Sequence, residues 1–335
     1  MHRRPTSRTL ALLLAGALVL ASCGDDSSGS ASTTTATAPT AVDGATDPDG
    51  ADPGDSPTSV ATFPVTVEGE NGAVELAAQP TRIVSLSASV TEVLFSIDAG
   101  DQVIAVDQYS DHPAGTPITD LSGFRPNIEA IGGYEPDLVV VSSDRDGLVD
   151  ALTGVGIPVV LLSSPDDLAS LYDHIAVLGA ATGHPAEAQA LVEQMRTDID
   201  ALAAEAPDRD APLPYFYELS EGHHSITSDT FVGELLARAG LVSIGDGVDE
   251  AAGGFPQLSA EYVLDADPAV IFLAYTDGTD ADPAAVAARP GWSELTAVRE
   301  DRVVALDADV ASRWGPRVVD LLALVIDATG DGPTA

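Results

Sequence analysis

Residues 82–95, RIVSLSASVTEVLF, change within a few positions from a strand pattern to a helix pattern. Arg82–Leu86 is rich in β-branched and apolar side chains, which is typical of a buried strand. Ser89 and Glu92 have the spacing of a capping box, which predicts a helix that starts at Ser89 and ends near Gly100. A buried strand that leads directly into a helix is the repeating unit of α/β proteins.

The same alternation of strands and helices continues along the chain from about residue 62 onward. Further buried strands are predicted at Val103–Asp107, Leu138–Val141, Pro158–Leu162, Tyr215–Leu219, Ala269–Ala274 and Val303–Leu306. The strands form two groups, and the simplest account is two α/β blocks.

Two helices lie between the two groups of strands. Ser164 is the predicted N-cap of the first, which runs to about Thr182, and the second runs from about Ala186 to Glu205. The second helix is long enough to connect two lobes. The predicted organisation is an N-terminal α/β lobe, a linking helix and a C-terminal α/β lobe, at residues 62–184, 185–206 and 207–335.

A short pattern occurs once in each predicted lobe. Glu129 follows a capping Asn and precedes Pro136, and Glu261 follows a capping Ser and precedes Pro268 at the same spacing. Each Glu lies in the first turn of its helix, where a negative charge stabilises the helix by about 0.3–1 kcal/mol. The repetition also fits an outward contact with a partner, and the pattern alone leaves both interpretations open.

The N-terminus has the features of an export signal. Basic residues precede an apolar run from Leu10 to Ala21, which is shorter than the about 20 residues that a membrane-spanning helix needs. Leu20-Ala21-Ser22-Cys23 resembles the bacterial lipobox, in which the Cys becomes the first mature residue and receives a lipid. We therefore predict a lipoprotein signal peptide at 1–22 and lipidation of Cys23, which places the exported protein on the outer face of the cytoplasmic membrane. Cys23 is the only cysteine, so no intramolecular disulfide is expected.

Residues 24–61 contain no Leu, Ile, Met, Phe, Tyr or Trp and are rich in Asp, Ser, Thr, Ala, Gly and Pro. Such a segment cannot bury enough apolar surface to fold, so 23–61 is predicted to be a lipidated, disordered acidic tether. With a random-coil span of about 35 Å, the tether would let the lobes move around their anchor.

The charge of the chain excludes several classes of function. The formal net charge is −39, and every basic residue is Arg. A chain this acidic cannot neutralise a nucleic-acid backbone. Without Lys, neither a Walker-type phosphate loop nor Schiff-base chemistry is available. The sequence also lacks the G-x-S-x-G nucleophile elbow and a G-x-G-x-x-G motif, so no catalytic residues are predicted.

Motifs from about residue 64 to 328 resemble those of the substrate-binding lipoproteins of ABC importers for metal chelates, namely ferric siderophores, haem and cobalamin. The motifs are Arg82-Ile-Val-Ser-Leu, Thr91-Glu92-Val-Leu-Phe, Tyr109-Ser-Asp-His-Pro113, Asn127-Ile-Glu-Ala-Ile131, Glu135-Pro-Asp-Leu-Val139, Pro256-Gln-Leu-Ser-Ala-Glu261, Pro290-Gly-Trp-x-x-Leu295 and Arg313-Trp-Gly-Pro-Arg317. The resemblance implies a class III periplasmic-binding-protein fold: an α/β chain with two Rossmann-like lobes joined by a single long backbone helix. It also implies a non-enzymatic monomer with no cofactor of its own, whose ligand carries iron or cobalt.

The resemblance assigns three aromatic residues to the cleft between the lobes. Tyr109 matches a ligand-contacting Tyr of cobalamin-binding relatives, and it follows a predicted strand, where ligands bind in α/β sheets. Phe124 and Phe255 stand where those relatives have tryptophans, and a third tryptophan position is here Ser142 or Ser143. The tyrosine motif favours cobalamin, whereas the missing tryptophans and a His pair favour a ferric siderophore.

Polar candidates come mainly from the predicted C-terminal lobe. Arg313 matches a ligand-contacting arginine of relatives, Trp314 follows it, and Asp309 is a weaker candidate for contacting amide groups. His223 and His224 point to opposite faces of an extended chain, so both cannot readily hold one ion, and His223 is the candidate contact for the ligand or its metal.

In the family that the chain resembles, one surface Glu of each lobe docks into Arg pockets on the membrane permease. Glu129 and Glu261 occupy those positions. Two alternative functions remain open: a receptor for free zinc or manganese, and a secreted metal-dependent hydrolase that uses His112, His223 and nearby Asp.

Overall fold

The computed structural model describes residues 62–248, 253–275 and 282–330. The predicted signal peptide, Cys23 and the tether lie outside these residues. Within the described ranges, no helix combines the length and the apolar character needed to cross a membrane.

The N-terminal lobe begins with an antiparallel hairpin of β1 (Val65–Gly69) and β2 (Gly72–Leu76). Its parallel sheet consists of β3 (Ile83–Leu86), β4 (Val103–Val106), β5 (Leu138–Val141) and β6 (Val159–Leu161). Its helices are α1 (Ala88–Ser96), α2 (Ile128–Gly132), α3 (Leu148–Gly154) and α4 (Leu168–Thr182). The strands agree with the predicted ones to within about two residues.

The long helix α5 (Pro185–Glu205) connects the two sheets and begins one residue before the predicted start. Pro185 occupies its first turn, where the missing N–H removes no helical hydrogen bond. Ala188, Met195 and Ile199 form its buried face, and the helix packs against α4.

The C-terminal lobe has a second parallel sheet of β7 (Leu213–Glu218), β8 (Leu241–Ser243), β9 (Val270–Leu273) and β10 (Val303–Ala305). Its helices are α6 (Phe231–Arg238), α7 (Ala260–Ala266), α8 (Pro283–Ala287), α9 (Thr296–Arg299), α10 (Ala308–Ser312) and α11 (Val318–Thr329). Helix α11 packs on the linking helix α5.

The two sheets share one topology. The strand order is β4-β3-β5-β6 in the first lobe and β8-β7-β9-β10 in the second, so each lobe places its second strand on one side of its first and its third on the other. A sheet whose order reverses in this way opens a crevice at the carboxyl ends of its first and third strands. The predicted fold of two related α/β lobes is confirmed, and it places one crevice at β3 and β5 and another at β7 and β9.

Each sheet is buried on both faces, as parallel sheets usually are. Strand β5 shows this directly, because Leu138 and Val140 join one apolar cluster and Val139 and Val141 join another. The largest cluster contains side chains of both lobes and of α5, whereas the other two belong to one lobe each. All buried apolar side chains of these clusters lie between residues 67 and 328, so a chain that begins at residue 62 keeps them all.

Two predicted helix starts are wrong. The N-cap of α1 is Ser87 and not Ser89, because the chain leaves β3 directly into the helix, which ends at Ser96. The N-cap of α4 is Asp167 and not Ser164, since the Asp167 carboxylate accepts the Ser170 N–H at 2.7 Å. Because α1 begins at Ala88, Glu92 is not part of the predicted capping box.

Candidate functional site

A pocket of about 510 Å³ lies at the crevice of the N-terminal sheet. Ser87 follows β3 and Ser143 follows β5, and both line it, as the strand order predicts. The opposite wall consists of residues 308–314 of the C-terminal lobe. The pocket is therefore built from both lobes and has the size typical of small-molecule sites.

Two aromatic side chains form the rim of this pocket. Tyr109 and Phe124 are 49% and 61% exposed, and their rings meet edge to face with centroids 5.7 Å apart. Arg145 lies over the Phe124 ring, with its guanidinium carbon 5.3 Å from the ring centroid. Such exposed rings offer flat apolar surface to a ligand.

The position of Phe124 depends on the residue before it. A Cβ atom at Gly123 would lie 2.3 Å from the carbonyl oxygen of Leu86, far inside contact distance. Only glycine allows the loop to approach the end of β3 so closely.

The inner part of the pocket is polar and acidic. Asp107, at the end of β4, is 4% exposed and accepts a hydrogen bond from the Ser110 hydroxyl at 2.6 Å. Burial raises the pKa of Asp107, against the opposing effect of its hydrogen bonds. Burial also raises the pKa of Asp309, which lines the opposite wall. These carboxylates and the neighbouring serine hydroxyls can accept hydrogen bonds from N–H groups of a ligand.

Arg313 lines the pocket, but its guanidinium already has several partners within the protein. Nη1 contacts Glu92 at 3.1 Å and Asp111 at 2.9 Å, and Nη2 contacts the Tyr109 carbonyl at 2.9 Å and Asp309 at 2.7 Å. Although partial burial opposes ionisation of Asp111, the hydrogen bond and charge of Arg313 lower its pKa. Arg313, which is predicted to contact the ligand, is therefore held by groups of the protein and forms part of the pocket wall.

Trp314 lies on the same wall and is 7% exposed. Its ring meets that of His174, on α4 of the other lobe, with centroids 5.5 Å apart. The predicted contact residue thus also packs between the lobes.

The equivalent crevice of the C-terminal sheet holds a buried ion cluster. Glu218, at the end of β7, is fully buried and accepts hydrogen bonds from Arg289 Nη1 at 2.8 and 3.0 Å. The hydroxyl of Tyr275, which lies beyond β9, donates to it at 2.8 Å. Burial and the adjacent carboxylate raise the pKa of Tyr275 to about 12. The protein thus fills this crevice with its own side chains.

The two adjacent histidines have separate partners, and neither lines the pocket that carries Tyr109. Nδ1 of His223 lies 2.9 Å from Glu218, whereas Nδ1 of His224 lies 3.1 Å from the Ser220 hydroxyl. His223 has a positive φ of 59°, and its ring packs on Trp292 with centroids 5.3 Å apart. In residues 62–248, 253–275 and 282–330, no three His, Cys, Asp or Glu side chains converge in a way that could hold a metal ion.

Phe255 lines a different depression from Phe124. It is 54% exposed and belongs to a pocket of about 520 Å³ together with Asp166, Asp229 and Asp246. The two depressions approach each other at residues 164–166, which follow β6. A third depression, of about 660 Å³, continues along α4 and α5 and contains none of the predicted site residues.

Glu129 and Glu261 lie in the first turns of α2 and α7, and both are exposed. The predicted N-caps are confirmed, since Asn127 accepts the Ala130 N–H and Ser259 accepts the Tyr262 N–H, each at 3.1 Å. Among the described residues, neither Glu forms an ion pair, so both carboxylates face outward in equivalent places on the two lobes.

Sequence reasoning missed Asp107, Arg289 and Glu218 as site residues. Asp107 directly follows β4 and Glu218 ends β7, and this position at the carboxyl end of a strand was the available signal. Arg289 had none, because its carboxylate partner lies 71 residues away in the chain.

Known proteins resemble the chain in sequence and in structure. A family model described as periplasmic binding protein matches residues 83–310. The cobalamin-binding protein of Halobacterium salinarum is 30% identical over 276 residues, which cover 80% of this chain and 74% of that protein. YvrC of Bacillus subtilis, an uncharacterized ABC transporter substrate-binding lipoprotein, is 30% identical over 268 residues, or 77% of this chain and 83% of that one. The crystal structure of the periplasmic vitamin B12 binding protein BtuF of Vibrio cholerae superposes with a TM-score of 0.62 at 27% identity, covering 74% and 96% of the two chains.

Proposed function

Because the chain belongs to the periplasmic binding protein family, we propose that it is the solute-binding component of an ABC importer and that its ligand is a metal chelate of the corrinoid type. The observation that supports this function is the pocket at the N-terminal crevice, which has an aromatic rim, an acidic and hydroxyl-rich interior and walls from both lobes. The metal would arrive within the ligand, so binding and release require no covalent step.

The chemistry of the pocket favours a neutral ligand with amide groups. Asp107 and Asp309 offer acceptors, while the positive charge of Arg313 is compensated by protein carboxylates. Cobalamin carries amides around a flat macrocycle, and the Halobacterium and Vibrio relatives are described as binding it. A ferric siderophore is the second candidate, because Arg145 beside Phe124 could attract an anionic chelate.

Titration of residues 62–335 with cyanocobalamin, haem and a panel of ferric siderophores tests the ligand. Calorimetry and quenching of the fluorescence of Trp292 and Trp314 should show one-to-one, sub-micromolar binding of cyanocobalamin. Binding of an anionic siderophore alone would support the second candidate, and binding of none of these chelates would refute the proposal.

Delivery to a permease would use Glu129 and Glu261, one on each lobe. Reversal of either residue to Arg should leave ligand affinity unchanged and abolish uptake by cells. A loss of affinity in the isolated protein would contradict this separation of roles.

Lipidation of Cys23 would keep the receptor at the membrane surface, and the relative YvrC is described as a lipoprotein. We expect Cys23→Ala to stop partitioning of the protein into detergent. Unchanged partitioning would refute a lipid at this residue.

A further inference from the structure

Glu92 is a buried carboxylate that joins the two lobes. It lies on α1 of the N-terminal lobe and is 2% exposed, whereas its partners Arg313 and Arg317 lie between α10 and the start of α11. Arg317 donates hydrogen bonds to both carboxylate oxygens of Glu92, with Nε 2.9 Å from Oε2 and Nη2 2.5 Å from Oε1. Arg313 adds a third contact through Nη1, at 3.1 Å. One negative charge therefore holds two guanidinium groups of the opposite lobe.

The same contacts hold the loop that carries Tyr109. Arg313 reaches from Glu92 to the Asp111 carboxylate and to the carbonyl oxygen of Tyr109, each at 2.9 Å. On the other side of this loop, the Ser110 hydroxyl lies 3.0 Å from that of Thr91, the residue next to Glu92. Consecutive residues of α1 thus fix the loop from two sides.

We propose that Glu92 is a positioning residue of the ligand site, which ties the lobes together through Arg317 and Arg313 and so holds Tyr109 at the pocket rim before a ligand arrives. Separating the lobes at this point would break the charge-assisted hydrogen bonds that Arg313 and Arg317 donate to Glu92, so these contacts oppose opening. A site held in its binding geometry in this way loses little freedom on binding. The effect on affinity rests on the proposed function, whereas the tie between the lobes does not.

The tie can be tested without ligand. Spin labels at Asp150→Cys and Asp265→Cys, exposed positions on α3 and α7, report the distance between the lobes by double electron–electron resonance. The chain from residue 62 contains no native cysteine that would interfere. Glu92→Gln should broaden or shift the distance distribution, and Glu92→Asp, which keeps the charge, should restore part of the parent distribution.

A matched control removes a carboxylate whose ion pair lies within one lobe. Glu300 pairs with Arg302 at 3.2 Å on the C-terminal lobe, so Glu300→Gln should leave the distance distribution unchanged. An unchanged distribution in Glu92→Gln would overturn the proposed tie. If Glu92→Gln does not fold, Arg317→Lys replaces it, since Lys keeps the charge but not the two-point contact. An unchanged distance distribution in Arg317→Lys would then overturn the proposed tie.

Affinity for cyanocobalamin provides the second readout. Loss of a charged, buried hydrogen-bond partner should weaken binding by roughly tenfold or more in Glu92→Gln, mainly through faster dissociation. Equal affinities in Glu92→Gln and the parent would refute the positioning role even if the lobes separate. If the parent itself binds no cyanocobalamin, the proposed ligand is wrong, and the distance measurement still decides whether Glu92 ties the lobes.

Discussion

Gly123→Ala tests the close approach that places Phe124 at the rim of the pocket. The added Cβ would lie 2.3 Å from the carbonyl oxygen of Leu86, and Leu86 is the last residue of the central strand β3. Nonbonded heavy atoms prefer separations of about 3.5 Å, so the loop must move by roughly 1 Å. The atom that the new Cβ would meet is a backbone carbonyl oxygen and not the end of a flexible side chain, so it cannot rotate aside.

The expected penalty follows from this displacement. Forced overpacking typically costs about 1–3 kcal/mol, which is less than the about 5–15 kcal/mol of a folded domain, so the variant should fold with reduced stability. The displaced Phe124 would lose its edge-to-face contact with Tyr109 and part of its contact with the ligand. Aromatic contacts of this kind contribute about 0.5–1.5 kcal/mol, so affinity for cyanocobalamin should fall roughly 2- to 12-fold.

Urea unfolding and calorimetric titration measure both effects. Gly132→Ala is the matched control, because it adds the same methyl group in the same lobe, at the last residue of helix α2, where the new Cβ would have no atom within 4 Å beyond its own helix. This control should be as stable as the parent or more stable by about 0.5–1 kcal/mol, with unchanged affinity. If Gly123→Ala unfolds at the same urea concentration as the parent and binds equally well, the argument from the close approach is refuted.

Four further variants test the pocket and the buried charges. Phe124→Ala should weaken cyanocobalamin binding more than Phe255→Ala, because only Phe124 lines the pocket of both lobes, and equal losses in calorimetry would contradict this assignment. Glu218→Ala should lower the free energy of unfolding by about 1–3 kcal/mol, because it leaves the partly buried Arg289 without its carboxylate, and an unchanged free energy of unfolding in urea titration would argue against the ion cluster. The pKa of Asp107 is higher in the folded protein than in the unfolded chain, so its ionisation opposes folding at any pH above the ordinary Asp pKa, and Asp107→Asn should be more stable than the parent at pH 7. This advantage should disappear as the pH falls to the pKa of an ordinary Asp, and a constant difference across the pH range would contradict the assignment.

The fold was predictable because its signals are local. Each strand is a short apolar run such as Leu138–Val141, which must be buried on both faces, and α5 has a proline at its start and further prolines after its end. Helix starts were less predictable where several capping residues stand close together. Ser87 and Ser89 both stand at the beginning of α1, and the side chains alone cannot show which one caps the helix.

The site was predictable only in part, since its decisive contacts join residues far apart in the chain. The spacing of Ser89 and Glu92 fits a capping box, yet Glu92 pairs with Arg313, 221 residues away. Tyr109 could be placed at the pocket because it follows a strand, a position that the sequence reveals. The partners of Arg313 could not be predicted, because a sequence pattern does not show which charged side chains meet across a cleft.

The two lobes use equivalent crevices in different ways. In the N-terminal lobe the crevice is an open pocket, whereas in the C-terminal lobe Glu218 and Arg289 occupy it. A buried charge pair of this kind fixes the local structure and leaves little room for a ligand. The C-terminal lobe therefore contributes to the site through residues 308–314, which Arg313 and Arg317 attach to Glu92. If the proposed function is correct, the loops after β3, β4 and β5 would determine most of the ligand selectivity, and residues 308–314 would form a fixed wall of the site.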